Sequence, residues 1–410
     1  MARSPQVLEE AELLERMARL AEAFRPAAPI DRRGLFSGRV QEIGELFSVV
    51  GQPGQHAVVY GERGVGKTSL TTVVAELLRG SGVATVRVNC DSSDDFSSIW
   101  RKALGEIGLR TTTPGIGFAP IASEGSEPAS MLLGMGPRVT PYDVMRALGA
   151  LAEERSLAIF IDEFDRIVDP DDRALFAETI KTLSDRIVGA TIVLVGVADD
   201  VDELIREHQS IERALVQIRM PRMSRSELGE IATKGIEAAQ MTIQKAAVDS
   251  VTGLSQGLPH YTHLLTQLAG QAALSARRAH VESRDMEAAV ERAIDRAGQS
   301  VAAAYHRAVE EEEGRRRQVL LACALAEEDE FGFFSTADVE GPLGQIGSER
   351  LEDEVLSGEL DELADGEEEP VLQRGGAGRR RYRFANPLLQ PYVVMRGLSD
   401  GLVKARDVRA

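Results

Sequence analysis

The chain has 410 residues, enough for about two to four domains of ordinary size. Its hydrophobic fraction of 43% fits a globular protein with a substantial core, and every apolar run is shorter than the about 20 residues that a membrane span needs. The formal net charge of -18 argues against nucleic-acid binding through overall charge, so any DNA contact would need a local basic patch.

The N-terminal segment and the cysteines bear on cellular location. Met1–Arg25 is rich in Glu and Arg and has no apolar region followed by a cleavage site, which argues against a secretory signal. Cys90 and Cys323 are far apart in sequence and lack metal-ligand spacing, which predicts two reduced thiols rather than a disulfide or a metal site. We therefore expect a cytoplasmic protein that does not associate with membranes.

The first elements of the chain are a helix and then a series of alternating strands and helices. Apolar residues recur at helical spacing up to Ala21, and Pro26 and Pro29 end this helix because proline cannot continue one. Between about 55 and 220, short apolar runs alternate with amphipathic stretches, a pattern typical of a buried parallel sheet covered by helices. The strand candidates are Ala57–Tyr60, Ala84–Val88, Leu157–Ile161, Ala190–Val195 and Leu215–Ile218.

Within this region, one segment breaks the alternation. Gly108–Val139 is rich in Gly, Pro, Ser and Thr and shows little periodicity. A long irregular segment inside an α/β domain is usually either functional or disordered. Two interpretations stay open, a disordered or family-specific insertion and a loop that binds a partner. After it, Thr140 followed by Pro141 predicts the start of a helix that runs to about Glu154.

The second half of the chain is mostly helical. Ser224 and Glu227 have the spacing of a capping box, and helical patterns continue through about Arg296. Near the C-terminus, Val371–Arg374 and Arg380–Phe384 flank a glycine-rich turn, which predicts a β-hairpin. These changes of pattern divide the chain into four segments, 1–30, 31–223, 224–300 and 301–410.

The strongest motif is a glycine-rich loop between a predicted strand and a predicted helix. It matches G-x-x-x-x-G-K-[ST] in full and consists of Gly61, Glu62, Arg63, Gly64, Val65, Gly66, Lys67 and Thr68. Glycines allow the backbone to wrap around phosphate oxygens, and the positive end of the following helix lies at the same place. Lys67 is expected to bridge the β- and γ-phosphates, and the Thr68 hydroxyl to bind Mg²⁺. The motif therefore predicts binding of Mg-ATP.

A second motif supplies two carboxylates. The apolar run Leu157–Ile161 is followed by Asp162 and Glu163, which places both acids at the carboxyl edge of the predicted sheet, where open α/β sheets bind ligands. Asp162 would hold Mg²⁺, and Glu163 would orient and polarise the attacking water. The alternative for Glu163 is a solvated carboxylate at a strand end. Asp165 is expected to start a helix rather than to bind a ligand.

With these motifs, the chain resembles AAA+-type and STAND-type P-loop ATPases, including those related to origin-recognition proteins. The resemblance covers about residues 31–300 and extends more loosely to about 398. It implies that the segment Phe36–Arg39, and Arg39 in particular, contacts the adenine. It also implies an arginine finger ahead of the last strand, for which Arg213 is the first choice and Arg206 the second; a surface arginine in a salt bridge remains the alternative for both. The polar sensor residue after Thr191–Val195 is not obvious, and Asp199 is a candidate.

The resemblance extends to the helical half of the chain. Gly257-Leu258-Pro259 is similar to the G-x-P motif of the STAND lid, which implies that Pro259 packs against the nucleotide base. The sensor-2 arginine of AAA+ proteins is missing, and His260 stands in its neighbourhood. The C-terminal part resembles a winged helix with Arg379, Arg380, Arg381 and Arg383 on its hairpin, but the helix candidate before that hairpin is acidic.

Together the residues and the resemblance predict an α/β fold with a P-loop NTPase parallel sheet, a helical lid and a C-terminal winged-helix domain. The expected domains are an N-terminal helix (1–30), an ATPase core (31–223), a lid (224–300) and a winged-helix-like domain (301–410). The expected nucleotide-binding residues are the eight residues of the loop together with Ser69, Arg39 and Pro259. The expected metal ligands are Thr68 and Asp162, and the expected catalytic residues are Glu163, Arg213 and Lys67.

Two functions remain open at this point. In the first, the protein is an ATP-hydrolysing molecular switch that controls assembly with a partner protein. In the second, it is a DNA-associated ATPase that binds DNA through the arginine-rich hairpin, a role that the acidic net charge disfavours. An arginine finger acting between subunits would make the protein a homo-oligomer.

Overall fold

The structure is a computed structural model of the whole chain. It describes, by number, residues 8–26, 38–113, 123–128, 136–153, 155–198, 211, 213–310, 313–347, 351–365, 369–375, 381–404 and 407–408. The chain forms two compact units. One, here called the sheet unit, consists of Arg39–Glu62 and Lys67–Met220. The other, here called the helical unit, consists of Met1–Gly38, Arg63–Gly66 and Pro221–Ala410.

The sheet unit is built on a five-stranded parallel sheet with the strand order β2-β5-β6-β1-β7. All five predicted strands are confirmed, each extended by one or two residues. All six residues of the internal strand β5 are buried, as expected where helices cover both faces of a parallel sheet. The strands of this unit are β1 (His56–Gly61), β2 (Ala84–Asn89), β3 (Gly108–Thr113), β4 (Ser123–Pro128), β5 (Leu157–Asp162), β6 (Ala190–Val197) and β7 (Leu215–Arg219).

Helices and one short 3-10 turn flank this sheet. The predicted start at Thr140 is confirmed, because its side chain and that of Asp143 form a reciprocal capping box. Four aromatic residues pack together beside the sheet, Phe96, Trp100, Phe164 and Phe176. The helices are Val40–Val50, Lys67–Gly80, Phe96–Gly105, Pro141–Ala152 and Pro170–Asp185, and the 3-10 turn is Phe164–Arg166.

The segment that was expected to be irregular contains a β-hairpin. β3 and β4 pair in antiparallel register from Gly108 opposite Pro128 to Thr113 opposite Ser123. The expectation was wrong for these residues because both strands consist almost wholly of Gly, Ser, Thr, Glu, Arg and Pro. Their pairing is made by backbone hydrogen bonds, so the apolar alternation that usually marks a strand is missing.

The helical unit contains the remaining elements. Its helices are Glu10–Ala23, Arg225–Ala238, Lys245–Leu254, Pro259–Ser275, Ser283–Asp295, Gln299–Val309, Glu313–Leu325, Thr336–Gln345, Asp353–Ala364 and Leu389–Ser399. Its strands are β8 (Thr242–Ile243), β9 (His280–Val281), β10 (Phe334–Ser335), β11 (Leu372–Arg374) and β12 (Arg381–Phe384). The capping box of Ser224 and Glu227 is confirmed, and so is the hairpin of β11 and β12, which β10 extends to three strands.

The N-terminal helix packs on two helices of the same unit. Phe24 and Leu20 are buried against two glycines, Gly235 and Gly270, whose missing side chains leave room for them. The last helix begins at Leu389. Its proline, Pro391, stands in the first turn, where the backbone nitrogen has no helical acceptor to lose.

Helices that could cross a bilayer are not found among the described residues, since none is both long and apolar enough.

Candidate functional site

The glycine-rich loop owes its shape to three glycines with positive φ. Gly61, Gly64 and Gly66 have φ of 146°, 92° and 98°, values that side chains rarely allow. At the end of β1, a Cβ on Gly61 would also overlap the carbonyl oxygen of Met220. The helix Lys67–Gly80 starts directly after these turns, so its first backbone amides, which have no acceptor within the helix, follow the loop in the chain.

The lysine of the loop lies folded over the backbone at its start. Lys67 Nζ donates hydrogen bonds to the carbonyl oxygens of Gly61 and Glu62, both at 2.8 Å. The residue is only 9% exposed, so its charge is held inside the loop rather than in solvent. A phosphate oxygen that entered the loop would be an acceptor of the same kind, with a full negative charge in addition.

Asp162 is the last residue of β5, and its two carboxylate oxygens differ in their surroundings. Oδ1 accepts a hydrogen bond of 2.9 Å from the backbone N–H of Glu163. Oδ2 is buried and has no hydrogen-bond partner among the described residues. The Arg87 guanidinium lies nearby, with Nη2 3.9 Å from Oδ2. A buried carboxylate oxygen without a hydrogen bond is a fit for a hard cation such as Mg²⁺, which prefers oxygen ligands.

Glu163 follows in an unusual backbone conformation. Its φ of 55° is left-handed, which costs a residue with a side chain on the order of 1–3 kcal/mol. The next residue, Phe164, is fully buried, with its ring 5.0 Å from that of Phe176, and this packing holds the turn in place. The Glu163 side chain is half-exposed, and its Oε2 lies 2.8 Å from Nε of Arg166.

The adjacent strand end is tied to the same turn. Asp165 lies in the short 3-10 turn, as expected, and its Oδ1 accepts a hydrogen bond of 2.8 Å from the backbone N–H of Val197, the last residue of β6. The ends of β5 and β6 are thereby held together at the edge where Asp162 and Glu163 lie. The sensor candidate Asp199 lies outside the described residues, as does Arg206.

In the helical unit, the middle of the glycine-rich loop packs against two other segments. A Cβ on Gly64 would lie 3.1 Å from Leu388 Cδ2, and one on Gly66 would lie 3.8 Å from Cγ of Pro259. Leu388 is in turn held by the hydroxyl of Tyr261, which donates 2.7 Å to its carbonyl oxygen. The predicted G-x-P turn and the segment before the last helix therefore both contact the loop.

Comparison with known proteins gives this site a family. The sequence profile of the Novel STAND NTPase 1 family matches residues 23–332, about three quarters of the chain. The chain belongs to this family. The match confirms the resemblance to P-loop ATPases of the AAA+ and STAND type, and the five-stranded parallel sheet agrees with it. No curated protein sequence matches the chain.

Solved structures that resemble this STAND NTPase are distant in sequence. The Walker-type ATPase of Pyrococcus abyssi is 15% identical, with 90% of this chain and 99% of that chain covered at a TM-score of 0.51. The ORC1 protein of Aeropyrum pernix in complex with DNA is 15% identical, with 93% and 97% covered at a TM-score of 0.47. At this identity, the similarity to the Pyrococcus abyssi ATPase shows the fold alone.

Two other predicted site residues of this STAND NTPase, Arg39 and Arg213, also lie in the sheet unit. Arg39 is buried with a left-handed φ of 58°, and its Nη1 donates 3.0 Å to Oε1 of Glu42 within the helix that it precedes. Its contact with adenine stays a prediction. Arg213 is exposed and lies two residues before β7, and its role as an arginine finger also stays a prediction.

The sequence did not indicate three residues of this NTPase that lie beside the motifs. Arg166 could have been found from its spacing, since residues three apart in a helical turn are neighbours. Arg87 gave no signal, because only the strand order shows that β2 lies next to β5. Leu388 gave none either, because its contact with Gly64 joins residues more than three hundred positions apart.

Proposed function

We propose that this STAND NTPase binds Mg-ATP, hydrolyses it, and uses the bound nucleotide as a switch that controls assembly with a partner protein. The observation that carries the proposal is the arrangement in the sheet unit. There, Lys67 opens the loop helix, and β5 presents a buried Asp162 with an oxygen that has no hydrogen bond, followed by a half-exposed Glu163.

Each of these residues has a task that suits its surroundings. On nucleotide binding, Lys67 exchanges its two backbone acceptors for β- and γ-phosphate oxygens, and the loop amides bind the same phosphates. Thr68 and Asp162 would hold Mg²⁺, which supplies neutralisation of the charge that develops on the phosphates. Glu163 accepts a proton from the attacking water and orients it, because its side chain is open to solvent.

The contacts of Gly64 and Gly66 support a switch rather than a plain hydrolase. Leu388 and Pro259 pack on the loop that would hold the phosphates, and they belong to the C-terminal part and to the predicted lid turn. A ligand that enlarges or reshapes the loop must shift these neighbours, which gives it different binding free energies in different states of the protein. A partner that binds one state would then follow the nucleotide.

Two substitutions test the nucleotide site. Lys67→Ala should abolish ATP binding in isothermal titration calorimetry, whereas Lys234→Ala, which removes an exposed lysine on another helix, should leave it unchanged. Glu163→Gln should keep the affinity for Mg-ATP and lower turnover by at least about 100-fold, the scale of a positioned general base. Retained ATP affinity in Lys67→Ala, or normal turnover in Glu163→Gln, would contradict the assignment.

The switch needs its own experiment. The Glu163→Gln protein, held with ATP, should retain a partner from native cells that Lys67→Ala does not retain. Hydrogen exchange should show that ATP changes protection around Leu388, and Leu388→Ala should weaken the difference between the ATP and ADP states. If protection is equal in the ATP and ADP states, and Glu163→Gln and Lys67→Ala recover the same proteins, the protein hydrolyses ATP without acting as a switch.

Oligomeric assembly is tested through Arg213. If Arg213 completes the site of a neighbouring copy, turnover per chain should rise with protein concentration and Arg213→Ala should remove the rise. Turnover that is independent of concentration in a protein shown to be monomeric would remove this role. Both cysteines are free and buried, which agrees with the cytoplasmic location that we propose.

The DNA-associated alternative is less well supported by the hairpin. Arg381 forms an ion pair with Asp329, and Arg383 bonds to Gln373, so two of the four expected phosphate contacts are engaged within the protein. Both guanidinium groups also lie over the Phe333 ring, at 5.2 and 4.6 Å from its centre. Arg379 and Arg380 lie outside the described residues. We therefore propose a protein partner rather than DNA.

A further inference from the structure

Arg87 stands beside the carboxylate that is expected to hold the metal ion. It lies on β2, two residues before Asn89, which is directly opposite Asp162 on β5. Residues two apart in a strand point to the same face, so Arg87 and Asn89 lie on one face of the sheet. Glu76 and Arg79 of the helix Lys67–Gly80 interact electrostatically with Arg87 on that face. Arg87 thus lies next to Asp162 and under the helix that follows the loop.

The two groups attract each other but do not form a closed ion pair. Arg87 Nη2 and Asp162 Oδ2 are 3.9 Å apart, whereas a charge-assisted hydrogen bond would measure about 2.7–2.9 Å. Nε of Arg87 and Oδ2 of Asp162 are both buried without hydrogen-bond partners among the described residues. A purely structural pair in this place would close and satisfy both atoms, since a buried polar atom without a partner destabilises the fold.

A metal ion on Asp162 would need the same oxygen. Oδ1 is already used by the N–H of Glu163, so Oδ2 is the atom on which a cation would bind most directly. A divalent ion there and a guanidinium less than 4 Å away would repel each other, with little solvent between them to screen the charges. Metal binding and the approach of Arg87 are therefore in competition for one oxygen.

We propose that Arg87 is a positioning residue of the metal site, which holds Asp162 before nucleotide arrives and sets the affinity for Mg²⁺ by competing for Oδ2. This inference rests on the proposed function, since it takes Asp162 as a metal ligand. It assigns to β2 a part in the site that the loop and the β5 carboxylates do not supply. It also explains why a partly exposed arginine approaches the buried Asp162 without closing the pair.

The test compares Arg87→Gln with Arg87→Lys and with a control, Arg79→Gln. The Gln substitution removes the charge and keeps a polar side chain, and the Lys substitution keeps the charge on a shorter side chain. Arg79 is exposed and bonds to Thr85, so its loss removes a nearby positive charge without touching Asp162. Mn²⁺ binding in the presence of saturating ADP is measured by electron paramagnetic resonance of free Mn²⁺, and ADP binding in EDTA by calorimetry.

The expected result is a graded increase in metal affinity. Arg87→Gln should bind Mn²⁺ about 3- to 10-fold more tightly than wild type, because the competing charge is gone. Arg87→Lys should lie between the two, at about 2-fold, and it serves as the test on its own if Arg87→Gln does not fold. Arg79→Gln should bind Mn²⁺ with the affinity of wild type, below both Arg87 variants.

Two outcomes overturn the inference, and they differ from a failure of the proposed function. If the Arg87 variants bind ADP but hold Mn²⁺ with unchanged or weaker affinity, Arg87 does not compete and its role is structural. If Arg79→Gln gives the same increase as Arg87→Gln, the effect is one of general charge. If the folded wild-type protein binds no ADP in EDTA and no Mn²⁺ with ADP, the nucleotide site itself is refuted, and the inference with it.

Discussion

Acidification should loosen the central sheet through one buried histidine. His56, the first residue of β1, is fully buried, and its Nδ1 accepts a hydrogen bond of 3.0 Å from the N–H of Ile192 on β6. Nδ1 must therefore be unprotonated in the fold. Burial lowers the pKa of His56 from 6.5 to about 4, because a charged ring would lose this bond and sit among apolar side chains.

The size of the effect follows from this difference in pKa. Above pH 6.5 the ring is neutral in both the folded and the unfolded chain, so the free energy of unfolding does not depend on it. Below pH 6.5, His56 binds a proton in the unfolded chain but stays neutral in the folded chain, so the free energy of unfolding falls as the pH falls. The loss should reach about 2 kcal/mol at pH 5 and level off near 3.4 kcal/mol below pH 4.

The assay is hydrogen exchange of the sheet strands between pH 7 and 4.5, corrected for intrinsic rates and read as opening free energies. His56→Asn keeps an acceptor for Ile192 but cannot titrate, so its strands should lack this loss, although the smaller side chain lowers stability at pH 7. The exposed His306 provides the control, as His306→Asn should behave like wild type. His263 has a pKa lowered to about 4 but lies in the helical unit, where its effect is read separately. The same loss of protection in His56→Asn as in wild type would refute the assignment.

Three further substitutions test helix packing and the turn at Glu163. Gly235→Ala should lower the free energy of unfolding of the helical unit by about 1–3 kcal/mol in chemical denaturation, because its Cβ would overlap the buried Phe24 ring. Gly229→Ala on the same helix has room for a methyl group and should stabilise by about 0.5–1 kcal/mol; a loss in both would point to the helix itself. Arg166→Ala should raise steady-state ATP turnover by no more than about 5-fold, since the half-exposed pair that restrains Glu163 is worth at most about 1 kcal/mol; a fall would show that Arg166 assists catalysis.

The sequence was sufficient where local chemistry decides the structure. The five strands of the sheet could be predicted because each is an apolar run between helices. The caps at Thr140 and Ser224 could be predicted because each side chain accepts a hydrogen bond from a backbone N–H only three residues away. The loop helix and the strand before Asp162 could be predicted for the same reason. These features depend on neighbours in the chain, so a local pattern reports them.

What could not be predicted depends on neighbours in space. The order β2-β5-β6-β1-β7 brings Arg87 beside Asp162, but no pattern in either strand specifies which other strand it will meet. The pairing of β3 with β4 could not be predicted for a different reason. Both strands are polar and pair through backbone hydrogen bonds, so their sequences lack the alternation of apolar residues that marks a strand. The contact between Gly64 and Leu388 joins the loop to the far end of the chain, and only the folded structure shows it.

The charged groups of the site have partners within the protein. The Lys67 ammonium is held by two carbonyl oxygens, Arg87 lies 3.9 Å from Asp162, and Arg166 pairs with Glu163. Each group that would act on Mg-ATP therefore has a substitute partner from the protein itself. Lys67 and Asp162 are buried, and burying such groups unpaired would cost several kcal/mol, so their partners limit that cost. Under the proposed function, nucleotide binding is an exchange of partners, in which phosphate replaces the carbonyls on Lys67 and metal displaces Arg87 from Asp162. Such an exchange releases the Arg87 guanidinium and two backbone carbonyls, and we expect these released groups, in addition to the nucleotide, to signal the bound state to the rest of the protein.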